Sequence, residues 1–140
     1  MLDTLLQGFA LILNWASLAA IVVGLLAGIV VGALPGLSAT MAMALVSPFT
    51  FFMPPEIGIP FLLSLFKSAI YAGSIPAITI NTPGTAAAAA TSLDGYVLAR
   101  QGQARKALEL SLVASVIADL GGTIVLILLA GWLASVALSF

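Results

Sequence analysis

The stretch from Asn81 to Thr85 places polar side chains beside a helix-breaking pair inside an otherwise apolar region. Pro83 has no backbone N–H and disrupts a helix, whereas Gly84 accepts almost any backbone conformation. Asn81, Thr82 and Thr85 add an amide and two hydroxyls. Backbone groups freed by unwinding, together with such side chains, can hold a carboxylate or coordinate Na⁺. We therefore predict an unwound segment at membrane depth that binds a solute or an ion.

A second group with the same pattern lies earlier in the chain. Pro35 and Gly36 interrupt an apolar region, and Ser38 and Thr40 follow where a new helix needs a capping hydroxyl. Each break leaves backbone N–H groups free at a helix start, equivalent to roughly half a positive charge. Such ends bind carboxylates without lysine or arginine. The alternative is that both breaks are surface turns, capped by their own hydroxyls.

Both breaks supply predicted binding residues. For the solute these are Gly36, Ser38, Thr40, Asn81, Thr82, Gly84 and Thr85, and for Na⁺ they are Asn81, Thr82 and Thr85. In this prediction the polar side chains contact solute or ion, the glycines allow close backbone approach, and the prolines hold the breaks open. We expect no bound cofactor, only Na⁺ or H⁺ as a coupling ion. No carboxylate sits beside the motifs, which favours Na⁺.

The composition is that of an integral membrane protein. Of the 140 residues, 62% are hydrophobic and 6% are charged, against about 25% charged in soluble domains. No Asp, Glu, Lys or Arg occurs in residues 4–55, 68–93 or 120–140. Since about 20 apolar residues cross a bilayer core, the chain has enough such sequence for several spans.

Several function classes are excluded by what the sequence lacks. There is no Cys and no His, which excludes disulfides, thiolate or imidazole metal sites, and catalysis by either side chain. Asp94 and Asp119 belong to no catalytic motif, so we expect no enzyme. With a net charge of −1 and no basic stripe, we also expect no nucleic acid partner.

The predicted fold is all-α, a polytopic membrane protein with broken helices and a re-entrant hairpin. The elements are an interfacial helix at 1–14, spans at about 15–33, 37–53 and 57–72, the hairpin at 73–93, a cytoplasmic loop at 94–106 and a span at 107–140. Gly24, Gly28 and Gly32 recur every four residues on one face of the first span. We expect another helix to approach that face closely.

The basic residues favour one orientation. Three of the four, Arg100, Arg105 and Lys106, lie in the loop at 94–106, which the positive-inside rule makes cytoplasmic. The side of the N-terminus depends on whether 73–93 crosses the membrane. Lys67 and Asp119 are ionisable residues inside predicted spans. We expect Lys67 to reach the head-groups or to form a structural pair, with Asp119 as one partner.

Five ordered segments resemble the large membrane subunit of the bacterial tripartite tricarboxylate transporters. They are Gly32–Leu37, Thr40–Met41 with Pro48–Phe51, Gly73–Ile78, Asn81–Thr91, and Asp94–Tyr96 with Ala99, Arg100 and Gly102. The resemblance runs from about residue 15 to about residue 120 and is most specific at 81–96. The chain departs from the family pattern at Lys67, Ser68, Ala72 and Asp119.

This resemblance implies a secondary transporter of the bacterial inner membrane. Such a transporter takes up tricarboxylates or related organic acids with a coupling cation, and it works with a small membrane subunit and a periplasmic solute-binding protein. The resemblance also implies that this chain is the N-terminal part of a longer protein whose second half repeats the Pro-Gly theme. The alternative is a truncated or non-transporting membrane assembly module.

Overall fold

The computed structural model describes residues 2–137, with side chains from Leu6 onward. Within that range the elements are α1 (Leu2–Ile12), α2 (Trp15–Gly32), α3 (Ala39–Thr50), α4 (Pro55–Ala72), α5 (Ser74–Ile80), α6 (Ala88–Leu98), a π-helical turn (Ala99–Gln103) and α7 (Ala104–Ala137). No strand occurs in this range, so the predicted all-α fold class is confirmed. The chain forms two compact units, one ending at Leu108 and the other beginning at Glu109. The predicted ends at residues 1 and 138–140 lie outside the described part.

Three helical stretches are long and apolar enough to cross a membrane: Trp15–Gly32, Pro55–Ile80 and Ala88–Ala137. α3 has 12 residues and is therefore about 18 Å long, which is less than the ~30 Å of a bilayer core. It is shorter than the span predicted at 37–53. The Pro54–Pro55 pair ends this region and starts α4, since proline suits the first turn of a helix.

The distribution of side chains is the reverse of that in a soluble domain. Most large apolar side chains of the described residues are exposed, including Trp15 at 86% and Phe52 at 91%. Buried positions are mainly glycine, alanine and serine, and Leu65 and Ile78 are the largest apolar side chains in the fully buried set. This pattern suits a fold whose outside contacts lipid and whose helices pack through small residues.

The tightest packing joins the glycine face of α2 to α4. A methyl group on any of three glycines would overlap the α4 backbone: Gly24 against Phe61, Gly28 against Leu65 and Gly32 against Ala69. The predicted close approach of another helix is thus confirmed. Because the residue numbers rise together along both helices, α2 and α4 run parallel, and α3 carries the chain back between them.

A proline in α4 explains the contact at the start of both helices. Pro60 has no N–H, so it cannot donate to the carbonyl of Glu56 one turn earlier. The Ser17 hydroxyl donates to that carbonyl instead, over 2.6 Å. Asn14 caps α2 by accepting from the Ser17 N–H at 2.8 Å. The contact places the first turns of α2 and α4 at the same level.

α5 continues from α4 with only a bend. Gly73, the single residue between them, has φ −59° and ψ −20°, which is close to helical. Glycine and proline at 73 and 76 are both helix-breaking residues, yet the helical course is not interrupted here. Proline is tolerated in the first turn of a helix, so Pro76 fits within α5.

The predicted loop at 94–106 is also wrong in conformation. α6 runs through Asp94 and Tyr96 to Leu98, and α7 begins at Ala104. The backbone departs from helical geometry at Gly102, whose φ of 78° favours glycine. The cytoplasmic placement of this region stays a prediction. Lys67 lies in α4 and Asp119 in α7, and their pairing also stays a prediction.

Candidate functional site

Residues 81–85, which we call the return leg, follow directly after α5. Asn81 adopts the left-handed conformation, with φ 55° and ψ 32°, which asparagine tolerates better than most residues. The backbone N–H groups of Asn81 and Thr82 both donate to the Pro76 carbonyl, so the end of α5 is capped by the chain itself. Pro83 follows without helical backbone, as predicted for an unwound segment.

The return leg brings the chain back to the beginning of α5. The Gly84 N–H donates to the Gly73 carbonyl over 3.1 Å. A methyl group on Gly73 would lie 2.8 Å from Thr85 Cγ2, and one on Gly95 would lie 2.7 Å from Ile78 Cγ1. Position 85 therefore lies beside the start of α5 and position 95 lies further along it. α6 thus does not run antiparallel to α5, and the re-entrant character of the predicted hairpin at 73–93 stays a prediction.

Thr85 stabilises the start of α6 through hydrogen bonds. Its hydroxyl and its carbonyl both accept from the Ala88 N–H, at 3.2 and 3.1 Å. It is half-buried against Gly73. Asn81 and Thr82 are exposed, and the Thr82 hydroxyl makes one long bond of 3.3 Å to the Ile80 carbonyl. Within residues 2–137 no hydrogen bond to the Asn81 side chain is seen.

The first break comprises residues 33–38. Gly36 has φ 96°, a conformation that side chains other than glycine rarely adopt. Ser38 caps α3, because its hydroxyl accepts from the Met41 N–H at 3.1 Å, as predicted for a hydroxyl at this position. Thr40 is exposed in the first turn of α3. The described residues leave open space around Gly36, so its conformation rather than a close approach explains the glycine.

The return leg contacts the end of α2 through Gly84. A methyl group on Gly84 would lie 2.8 Å from the Gly32 carbonyl oxygen and 3.0 Å from Gly73 Cα. Gly32 is the last residue of α2, and the first break begins directly after it. The contact lies at the end of α2 away from Trp15, about 25 Å along the helix.

Not all predicted site residues come together. The return leg contacts the end of α2 through Gly84, but in the described residues no hydrogen bond joins Ser38 or Thr40 to a side chain of the return leg. Gly32 and Gly73 were missed as site residues. The four-residue glycine spacing pointed to Gly32, but as packing against a helix. Gly73 appeared only within the segment Gly73–Ile78 that carries the family resemblance.

An engineered disulfide tests the return leg directly. The chain contains no cysteine, so Gly73→Cys with Thr85→Cys introduces the only pair. A Cβ at position 73 lies 2.8–3.1 Å from atoms of Thr85, which is compatible with the roughly 3.5–4.5 Å between the Cβ atoms of a disulfide. We expect rapid cross-linking on mild oxidation, measured with a protease site introduced between the two positions.

Two further pairs control this measurement. Gly58→Cys with Thr50→Cys should also cross-link, since a Cβ at position 58 lies 3.4 Å from Thr50 Cβ. Gly58→Cys with Thr85→Cys should not, because position 58 lies about 22 Å from Gly73 along the helix axis. Equal cross-linking of the two pairs that contain Thr85→Cys would contradict the placement of the return leg.

Residues 33–40 and 81–85 contain amide and hydroxyl groups but no ionisable side chain. The exposed Asn81 amide and the hydroxyls of Thr82 and Thr40 can donate to a carboxylate, and hydroxyl and carbonyl oxygens can coordinate Na⁺. The N-terminal ends of α3 and α6 carry the positive ends of their helix dipoles. The arrangement therefore offers neutral donors and dipoles to an anion rather than a cationic side chain.

Comparison with known proteins identifies relatives. Residues 18–140 match the model of the tripartite tricarboxylate transporter TctA family. An Agrobacterium vitis protein, named as an uncharacterized 52.8 kDa protein in the TAR-I ttuC' 3'region, is 38% identical over 140 residues. The alignment covers the whole of this chain and 28% of that protein, so the chain spans about a quarter of its relative's length. No solved structure matches the chain.

Proposed function

Since this chain belongs to the tripartite tricarboxylate transporter TctA family, we propose that it forms part of a transporter that takes up tricarboxylates or related organic acids. Transport occurs across the bacterial inner membrane and is driven by a coupling cation. A small membrane subunit and a periplasmic solute-binding protein are the partners. The family is one of transporters, and we assign no catalytic residue.

The observation that carries this proposal is the contact of Gly84, in the return leg, with Gly32, which directly precedes the first break. The N-terminal end of α3 follows Gly32 by seven residues, and that of α6 follows Gly84 by four. In this proposal the positive ends of both helix dipoles face the solute, which favours an anion. The exposed polar side chains of Asn81, Thr82 and Thr40 supply the directional bonds.

The coupling ion in this proposal is Na⁺. Asn81 and Thr82 present oxygens to the outside of the fold, whereas the Thr85 oxygen already accepts from α6. We therefore propose that Asn81 and Thr82 supply most of the side-chain oxygens that coordinate the ion, whereas Thr85 stabilises the start of α6. Hydroxyl, amide and carbonyl oxygens suit a hard cation such as Na⁺.

The test is uptake by the assembled transporter in proteoliposomes, with labelled citrate as the probe. We expect accumulation only when a Na⁺ gradient, the small subunit and the solute-binding protein are all present. Thr82→Val removes one hydroxyl and keeps the side-chain shape. A hydrogen bond to a charged group contributes about 1.5–3 kcal/mol, so this variant should weaken the apparent affinity for citrate or Na⁺ about tenfold or more.

The matched control is Thr79→Val, three residues earlier in α5. Its hydroxyl already donates to the Ile75 carbonyl of its own helix at 2.8 Å, so its loss should leave both affinities unchanged. Uptake driven by a proton gradient alone would replace Na⁺ by H⁺ in the proposal. Complete absence of uptake, with a stable complex of the subunits, would favour a non-transporting assembly module instead.

A further inference from the structure

We propose that Gly32, Gly73 and Gly84 are positioning residues that hold the two breaks at a fixed separation. We call these three residues the glycine clasp. The inference rests on the proposed function, because it concerns the two halves of the same solute site. None of the three contacts the solute in this scheme. Their effect on transport passes through the placement of Asn81 and Thr82 relative to Ser38 and Thr40.

The first half of the clasp fixes the return leg to the bend between α4 and α5. The Gly84 N–H donates to the Gly73 carbonyl over 3.1 Å, and a methyl group on Gly84 would come within 3.0 Å of Gly73 Cα. Contacts this short between backbone atoms cannot be relieved by rotating a side chain. A methyl group at position 84 must therefore move the leg away from the bend.

The second half fixes the leg to the end of α2. A methyl group on Gly84 would lie 2.8 Å from the Gly32 carbonyl oxygen. Gly32 itself is held on its other side by α4, where a methyl group would lie 2.8 Å from both Ala69 Cα and Ala72 Cβ. Since the first break starts at the next residue, this contact fixes Gly84 of the return leg beside the start of the first break.

Gly73 also sets the start of α6. The Thr85 side chain lies where a side chain of residue 73 would be, at 2.8 and 2.9 Å from a Cβ built there. The Thr85 hydroxyl accepts from the Ala88 N–H, so any displacement of Thr85 is passed to the first turn of α6. The clasp thus joins the end of α2, the bend before α5 and the beginning of α6.

A distance measurement tests the clasp without relying on transport. Because the chain has no cysteine, Leu34→Cys and Thr82→Cys place two spin labels, one in each break, at exposed positions. We expect Gly84→Ala to shift or broaden the distance distribution measured by pulsed electron resonance. Gly131→Ala is the matched control, since no atom of the described residues lies within 4 Å of a methyl group there. Identical distributions in the two variants would overturn the proposal.

Transport kinetics supply the second measurement. Gly73→Ala should raise the KM for citrate about tenfold or more, with a smaller change in kcat, because misplacement by a fraction of an ångström weakens binding strongly. Adding Thr85→Ser removes Cγ2, the atom nearest the new methyl group, and keeps the hydroxyl for α6. This second change should recover a large part of the KM.

The outcomes separate the two proposals. If the wild-type complex shows no saturable uptake, the proposed function fails, and the distance measurement still decides the clasp. If uptake is normal and Gly73→Ala leaves KM unchanged in protein present at wild-type amounts, the clasp alone is overturned. If Gly73→Ala instead lowers the amount of protein, and Thr85→Ser then restores both the protein amount and the KM, the clasp is supported, since residues 73 and 85 share one contact.

Discussion

Gly28→Val is expected to separate α2 from α4 and to leave little folded protein. A methyl group at position 28 would lie 3.0 Å from the Leu65 carbonyl carbon and would overlap the Leu65 oxygen and the Ser68 hydroxyl. Valine adds two more methyl groups. Overpacking of a core typically costs about 1–3 kcal/mol and occasionally more. Because the obstacle here is backbone, we expect at least about 3 kcal/mol, a large part of a typical stability of about 5–15 kcal/mol.

The measurement is thermal unfolding of purified protein in detergent, together with the yield of monodisperse protein. Gly131→Val in α7 is the matched control, since open space surrounds a methyl group there among the described residues. Both substitutions replace a glycine inside an apolar helix with the same β-branched residue, so the change in helix propensity is equal. A similar unfolding temperature in the two variants would show that α2 and α4 do not pack as tightly as the contacts indicate.

The packing of α2 could be predicted in part from the sequence. Glycine at every fourth position predicted a helix face that another helix approaches closely, and in the structure α4 packs against that face. The identity of the partner was not predicted, although α4 carries a matching signal. Ser64, Ser68 and Ala72 recur at the same spacing, and they lie against Gly24, Gly28 and Gly32 in the same order. Small residues on both helices let the two backbones come into contact. Two helices whose small residues recur at the same spacing are therefore candidates for such packing.

The turns were harder to predict, because glycine serves two purposes. Asp94 and Gly95 begin the predicted loop at 94–106, but in the structure Gly95 lies within α6. A methyl group there would be 2.7 Å from Ile78 Cγ1. Position 95 is glycine because α5 is close, not because the backbone turns. Gly102, with its positive φ, is where the helix is interrupted, and its neighbours Gln101 and Gln103 carry no turn signal. Only tertiary contacts distinguish the two cases.

The candidate site was predicted as a list of residues but not as an arrangement. Ser38 was expected to cap a helix and does. The course of residues 81–85 back to Gly73 could not be read from the sequence, because Pro83 and Gly84 are equally compatible with a hairpin tip. The left-handed conformation of Asn81 makes the difference, since it reverses the chain within one residue.

Asn81→Gly is expected to abolish most of the uptake while leaving the fold intact. Glycine adopts the left-handed conformation without the steric cost that other residues pay, so the turn after α5 remains. The amide, which we assign to solute and ion, is lost. We expect the apparent affinity for citrate or Na⁺ to fall about tenfold or more, with an unchanged unfolding temperature. Uptake and thermal unfolding are measured on the same preparations.

Two other substitutions separate the backbone of Asn81 from its side chain. Asn81→Ala removes the amide and also places a Cβ in the left-handed region, at a cost of about 1–2 kcal/mol, so both uptake and stability should fall. Asn81→Asp keeps the shape and tolerates the conformation, but it brings a negative charge to a site proposed for a carboxylate. At saturating Na⁺ it should therefore lower the apparent affinity for citrate more than Asn81→Gly does, whereas its carboxylate should retain Na⁺ binding. If Asn81→Gly transports normally and only Asn81→Ala is impaired, Asn81 is needed for its turn alone, and the ligand must be held by Thr82 and the helix ends.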